Sequence, residues 1–104
     1  MRAVVAREAG GPEVLDVVEL DDPRPGPGQL LVRVAAAGLN FIDTYRRSGV
    51  YPLEFPHVVG SEGAGEVVEL GPDTTGFAVG DRVSWDNALG SYAELALVPA
   101  ANAI

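Results

Sequence analysis

The side chains whose types and spacing point to chemistry gather between Asn40 and Glu62. Asn40, Asp43, Tyr45, Tyr51, His57, Ser61 and Glu62 supply an amide, two carboxylates, two phenols, the single imidazole and a hydroxyl. Such groups donate and accept hydrogen bonds and can hold a proton. Cysteine is absent, which removes thiolate nucleophiles, disulfides and every Cys-containing zinc site. All seven basic residues are Arg, so a Walker-type phosphate lysine and Schiff-base chemistry are excluded within these residues. Gly63-Ala64-Gly65 opens a G-x-G, but the third glycine of the dinucleotide fingerprint would fall on Val68. The segment Glu66 to Leu70 that follows is strand-like rather than helical. These glycines therefore read as bulges, bends or points of close backbone approach.

The elements that must position these groups are short. Arg2 to Arg7 and Val14 to Leu20 read as an antiparallel pair around Gly10-Gly11-Pro12, and the Pro- and Gly-rich stretch Asp21 to Gln29 as a surface loop. Leu30 to Ala37 is predicted as a strand with Leu30, Val32 and Val34 on one face. A helix of barely two turns is expected from Asn40, a good N-cap, to Ser48, with Gly49 as its left-handed stop. It should be held by packing Phe41, Ile42 and Tyr45 against the sheet. Val50 to His57 reads as extended loop, Val58 to Leu70 as a strand interrupted by glycines, and Arg82 to Trp85 and Ser91 to Val98 as further strands. About six strands and one scrap of helix make an all-β sheet or small barrel.

With 47% hydrophobic and 21% charged residues the chain is a folding globular sequence. A net charge of -8 argues against nucleic acid and anionic membrane surfaces. No apolar run approaches the ~20 residues of a spanning helix. Met1 to Gly11 lacks an export signal, which makes a cytoplasmic location the expectation.

The segment Ala37-Gly38-Leu39-Asn40-Phe41-Ile42-Asp43-Thr44-Tyr45-Arg46-Arg47-Ser48-Gly49-Val50-Tyr51-Pro52 resembles the zeta-crystallin-type quinone oxidoreductases of the medium-chain dehydrogenase/reductase superfamily. So do Phe55-Pro56, Gly60-Ser61-Glu62-Gly63-Ala64-Gly65, Gly80-Asp81-Arg82-Val83 and Gly90-Ser91-Tyr92-Ala93-Glu94, with Gly10-Gly11-Pro12-Glu13-Val14-Leu15 at the start. The resemblance covers essentially the whole chain. It implies that residues 1–104 form the N-terminal GroES-like catalytic domain, a partial β-barrel with one short helix, lacking the Rossmann domain and the strands that return after it. On that basis the chain alone is expected to be inactive and to self-associate through open strand edges.

In the zinc-dependent branch, the resemblance implies, Asn40 would be Cys and Ser61 would be His. An amide and a hydroxyl cannot replace a thiolate and an imidazole as tight zinc ligands. The expected reaction is thus zinc-independent hydride transfer from NADPH to a quinone or enone, with NADPH over NADH resting on resemblance alone. Asn40 and Tyr51 are the candidate catalytic residues, and Asn40, Tyr45 and Tyr51 the candidate cofactor contacts. For Asn40 a pure N-cap role stays open, and for the tyrosines a packing role. Asp43 reads first as a cap, His57 as a surface or supporting residue, Trp85 and Phe77 as core, and Asp81 with Arg82 as turn-forming. Glu62 reads as an electrostatic or hydrogen-bonding residue for which an arginine is the natural partner. Two alternatives remain: an enoyl-thioester or other alkene reductase of the same superfamily, and a freestanding cochaperonin-like structural barrel. A homo-oligomer is expected in either case.

Overall fold

The glycine and proline breaks in the sequence divide the chain into short antiparallel strands that wrap into two sheets. The structure, a computed structural model, describes residues 1–49 and 53–104, and Tyr51 lies outside them. In chain order the elements are β1 (Arg2–Ala6), a 3₁₀ turn at Pro12–Val14, β2 (Leu15–Glu19), β3 (Gln29–Gly38) and α1 (Phe41–Ser48). Then follow β4 (His57–Val58), β5 (Glu62–Leu70), β6 (Arg82–Trp85), β7 (Leu95–Pro99) and a second 3₁₀ turn at Ala100–Asn102. One sheet has the order β2-β1-β4 and the other β6-β5-β3-β7. The sheets meet where the chain before β7 crosses to β1: the Val4 N–H donates to the Tyr92 carbonyl at 2.8 Å and the Glu94 N–H to the Arg2 carbonyl at 3.1 Å. The result is the mainly-β partial barrel with one helix that the sequence predicts. Among the described residues no helix is long and apolar enough to cross a membrane.

The core sits inside the four-stranded sheet, where Leu30, Val32, Val67, Val83, Trp85 and Val98 are buried. Trp85 is a core residue as expected, and Phe77 packs against the same cluster. A smaller cluster of Ala6, Val14 and Val59 fills the space beneath the other sheet, with Phe55 and Tyr92 at its margin. Alternation along β3 is incomplete, because Leu31 is buried on the opposite face as well.

Three expectations need correction. The segment from Val58 to Leu70 is two strands, because Gly60 takes φ 93° and turns the chain between β4 and β5. Regular pairing near the end starts at Leu95 rather than Ser91, since Ser91 to Glu94 is used to bridge the two sheets. The face of α1 is also different: Phe41 is 82% and Tyr45 44% exposed, while Asp43 is 7% exposed. A carboxylate turns inward here because hydrogen-bond donors await it, as described below.

The glycines of β5 serve close packing. A Cβ on Gly63 would stand 2.7 Å from the Trp85 ring, and one on Gly65 would collide with the Arg33 carbonyl oxygen and lie 2.8 Å from Val32 Cγ1. Gly65 pairs with Val34 at an irregularity in β3, where the register shifts between Val34 and Ala36. Backbone cannot yield as a flexible side chain can. Gly65→Ala is therefore expected to cost about 1–3 kcal/mol in chemical denaturation. Gly26→Ala, where the new methyl meets only the Gln29 side chain at 3.4 Å, should cost far less.

Candidate functional site

The site is built where β3 ends, α1 begins and β5 starts. Leu39 and Asn40 leave β3, and Asn40 takes the extended conformation of an N-cap, φ -126° and ψ 154°. At the other end Gly49 adopts φ 88° and its N–H closes on the Tyr45 carbonyl, the left-handed stop predicted from the sequence. Asp43 is the third helical residue. Its Oδ2 accepts the Asn40 backbone N–H at 3.1 Å, and its own N–H donates to the Asn40 carbonyl at 3.1 Å. Its other oxygen, Oδ1, accepts the Ser61 hydroxyl at 3.4 Å. Ser61 is 4% exposed and immediately precedes β5. Asn40 and Ser61, the two residues at which the resemblance marks the loss of metal ligands, are thus brought to opposite oxygens of one buried carboxylate.

Asn40 itself is half-buried, and exposed apolar side chains flank it on either side, Leu39 at 77% and Phe41 at 82%. Tyr45 lies on the same helix with its ring partly exposed. The structure so assembles Asn40 and Tyr45 on one short element, while the Tyr51 prediction falls outside the described residues. His57 is occupied locally: its Nδ1–H donates to the Glu54 carbonyl at 3.1 Å, and its ring stands 4.9 Å from that of Phe55. Asp81 organises its turn, accepting the Ala78 N–H at 2.9 Å. Glu62 folds its carboxylate over Gly38, where a Cβ would run into Oε1, and lines a groove of about 420 Å³ with Trp85, Asp86 and Ile104. Among the described residues Glu62 forms no ion pair with an arginine, contrary to expectation.

Tyr92 is the residue that sequence reasoning passed over. Its ring packs on Gly60, where a Cβ would stand 2.5 Å from Cδ1, and with Asp43, Thr44 and Arg47 it lines a small cavity of about 50 Å³ under α1. Burial lifts its phenol above the ordinary 10.0, and the charge of Asp43 adds to the rise. Sequence alone showed Tyr92 only within Gly90-Ser91-Tyr92-Ala93-Glu94, with nothing to indicate that the sheet crossing would carry it to a carboxylate 49 positions earlier.

Residues 26–104 match the alcohol dehydrogenase GroES-like domain. A quinone oxidoreductase of Pseudomonas aeruginosa is 53% identical over 88 residues, covering 83% of this chain and 27% of that protein. A 2-haloacrylate reductase of a Burkholderia species is 45% identical over 103 residues, covering 94% of this chain and 31% of that protein. The crystal structure of Escherichia coli quinone oxidoreductase complexed with NADPH superposes with a TM-score of 0.96 at 38% identity, over 100% of this chain and 32% of that one. The chain thus spans less than a third of the length of these relatives.

A raised phenol value means that the native state favours neutral Tyr92. Its contribution to stability is present below pH 10.0 and lost as pH rises through the folded value, because the unfolded chain releases the proton first. In Asp43→Asn the tyrosinate transition of Tyr92, identified by its absence in Tyr92→Phe, should move down toward 10.0 without reaching it, since burial remains. An unmoved transition would show that Asp43 does not act on this ring.

Proposed function

As a member of the alcohol dehydrogenase GroES-like domain family, grouped with the quinone oxidoreductases of the medium-chain dehydrogenase/reductase superfamily, this chain is, we propose, the acceptor-side wall of a zinc-independent, NADPH-dependent quinone oxidoreductase. The observation that carries the reading is the donor set at the start of α1 and β5. The Asn40 backbone N–H and the Ser61 hydroxyl hydrogen-bond into a buried carboxylate, which leaves the Asn40 side-chain amide to orient a carbonyl, and an amide and a hydroxyl do not suit the binding of zinc. NADPH supplies a hydride when bound. The residues here fit only its nicotinamide end: Asn40 offers an amide between exposed Leu39 and Phe41, where a flat ring can lie against apolar surface. They do not fit its pyrophosphate, because the space beside Gly63 and Gly65 is filled by Trp85 and the Arg33 carbonyl.

In this reading Asn40 donates a hydrogen bond to the acceptor carbonyl or the nicotinamide ribose, Tyr45 lines the same cleft, and Tyr51 keeps its contact role on the resemblance alone. The chain's own contribution is orientation and exclusion of water, which suits an electron-poor acceptor that needs no metal to polarise it. A quinone or enone is such an acceptor. A second reading, reduction of an activated alkene, is favoured by the likeness to the 2-haloacrylate reductase and differs only in the acceptor. A cytoplasmic site of action and a homo-oligomeric state belong to the same proposal.

The 104-residue chain should oxidise NADPH no faster than buffer, whereas the longer protein implied by the proposal should turn over 1,4-benzoquinone faster than an enoyl thioester or a haloacrylate. The opposite order would favour the alkene reading, and turnover of none of them would refute both. Asn40→Ala in the longer protein should lower kcat/KM about tenfold, the effect of losing roughly 1.4 kcal/mol from one hydrogen bond. The 104-residue chain should also self-associate with rising concentration in sedimentation, through the edges of β2 and β7. A monomer at millimolar concentration would contradict that part.

A further inference from the structure

The cluster under α1 poses a physical question, because Asp43 is a buried carboxylate with no ion-pair partner among the described residues. Burying such a charge is costly unless hydrogen bonds compensate. The compensation it receives comes from two different elements: the Asn40 N–H at the helix start and the Ser61 hydroxyl beside β5, 18 residues along the chain. An aliphatic side chain in this place would avoid the cost, but could not bond to both. The helix has little else to fix its first turn, since Leu39 and Phe41 on either side of the N-cap are exposed.

We infer that Asp43 is a positioning residue for turnover, setting the backbone of Asn40 against Ser61 so that the Asn40 amide is presented at one fixed place in the cleft. The inference deepens the function proposed above and rests on it. Asp43 touches neither acceptor nor cofactor in this scheme and acts through Asn40. Its removal should cost activity only while the Asn40 amide is there to be positioned, a dependence that a general loss of stability does not produce.

The test is a double-mutant cycle in the longer protein, with benzoquinone as acceptor. Asp43→Ala should lower kcat/KM about tenfold in the Asn40 background and less than twofold in Asn40→Ala, with Asp43→Asn intermediate because its amide oxygen retains one of the two bonds. Equal losses in both backgrounds overturn the inference. Should Asp43→Ala fail to fold, Ser61→Ala, which removes one bond and leaves the carboxylate its helical partner, takes its place with the same criterion. A readout independent of turnover uses the 104-residue chain itself. Amide hydrogen exchange at Asn40 should accelerate at least tenfold in Asp43→Ala while the β3–β5 amides stay protected. Unchanged exchange at Asn40 overturns the inference. If no variant reduces any acceptor, the proposed function fails, and the exchange result alone then decides whether Asp43 fixes Asn40.

Discussion

The two oxygens of the Asp43 carboxylate join the start of α1 to the start of β5, and the geometry of the candidate site depends on that junction. An eight-residue helix does not hold itself in water, and this one has little apolar surface turned inward. A hydrogen-bonded charge supplies the tie that apolar packing supplies in longer helices. The carboxylate also sits at the helix N-terminus, where the partial positive charge of the unpaired N–H groups favours it. Cap, helix dipole and cross-link to Ser61 are thus one interaction seen from three sides.

The sheets make that junction possible. β3 and β5 are brought into close contact by Gly63 and Gly65, which let the Trp85 ring and the Arg33 carbonyl approach the β5 backbone. This alignment sets Ser61 at the head of β5 near the point where β3 releases Leu39 and Asn40. Gly60 then turns the chain so that Ser61 and the Tyr92 ring share the space below α1. Glycines that could be taken for a nucleotide cradle thus shape the wall of a cleft by permitting backbone to touch backbone.

Much of this was legible in the residues. The turn at Asp81, the helix boundaries at Asn40 and Gly49 and the structural role of the β5 glycines follow from local rules that the fold obeys. What failed were the bounds of the strands around Gly60 and Ser91 and the statement of which face of α1 is buried. Phe41 and Tyr45 look like the apolar side of α1, but in eight residues the periodicity is too brief to outweigh two hydrogen bonds offered to Asp43. Tyr92 could not have been found at all, because its place beside Asp43 is created by a crossing between sheets. The relation to quinone oxidoreductases was carried by motifs whose order no single spacing rule would have revealed.

Under the proposed function, Asn40 and Ser61 act by hydrogen bonding around the buried Asp43 carboxylate rather than by metal coordination. The most direct measurement is elemental analysis of the longer protein, purified from zinc-supplemented cells without chelator and assayed before and after dialysis against one. The account predicts substoichiometric zinc and unchanged quinone turnover. One tightly held zinc per chain whose removal abolishes turnover, and whose binding is lost with Asn40→Ala or Ser61→Ala, would contradict it.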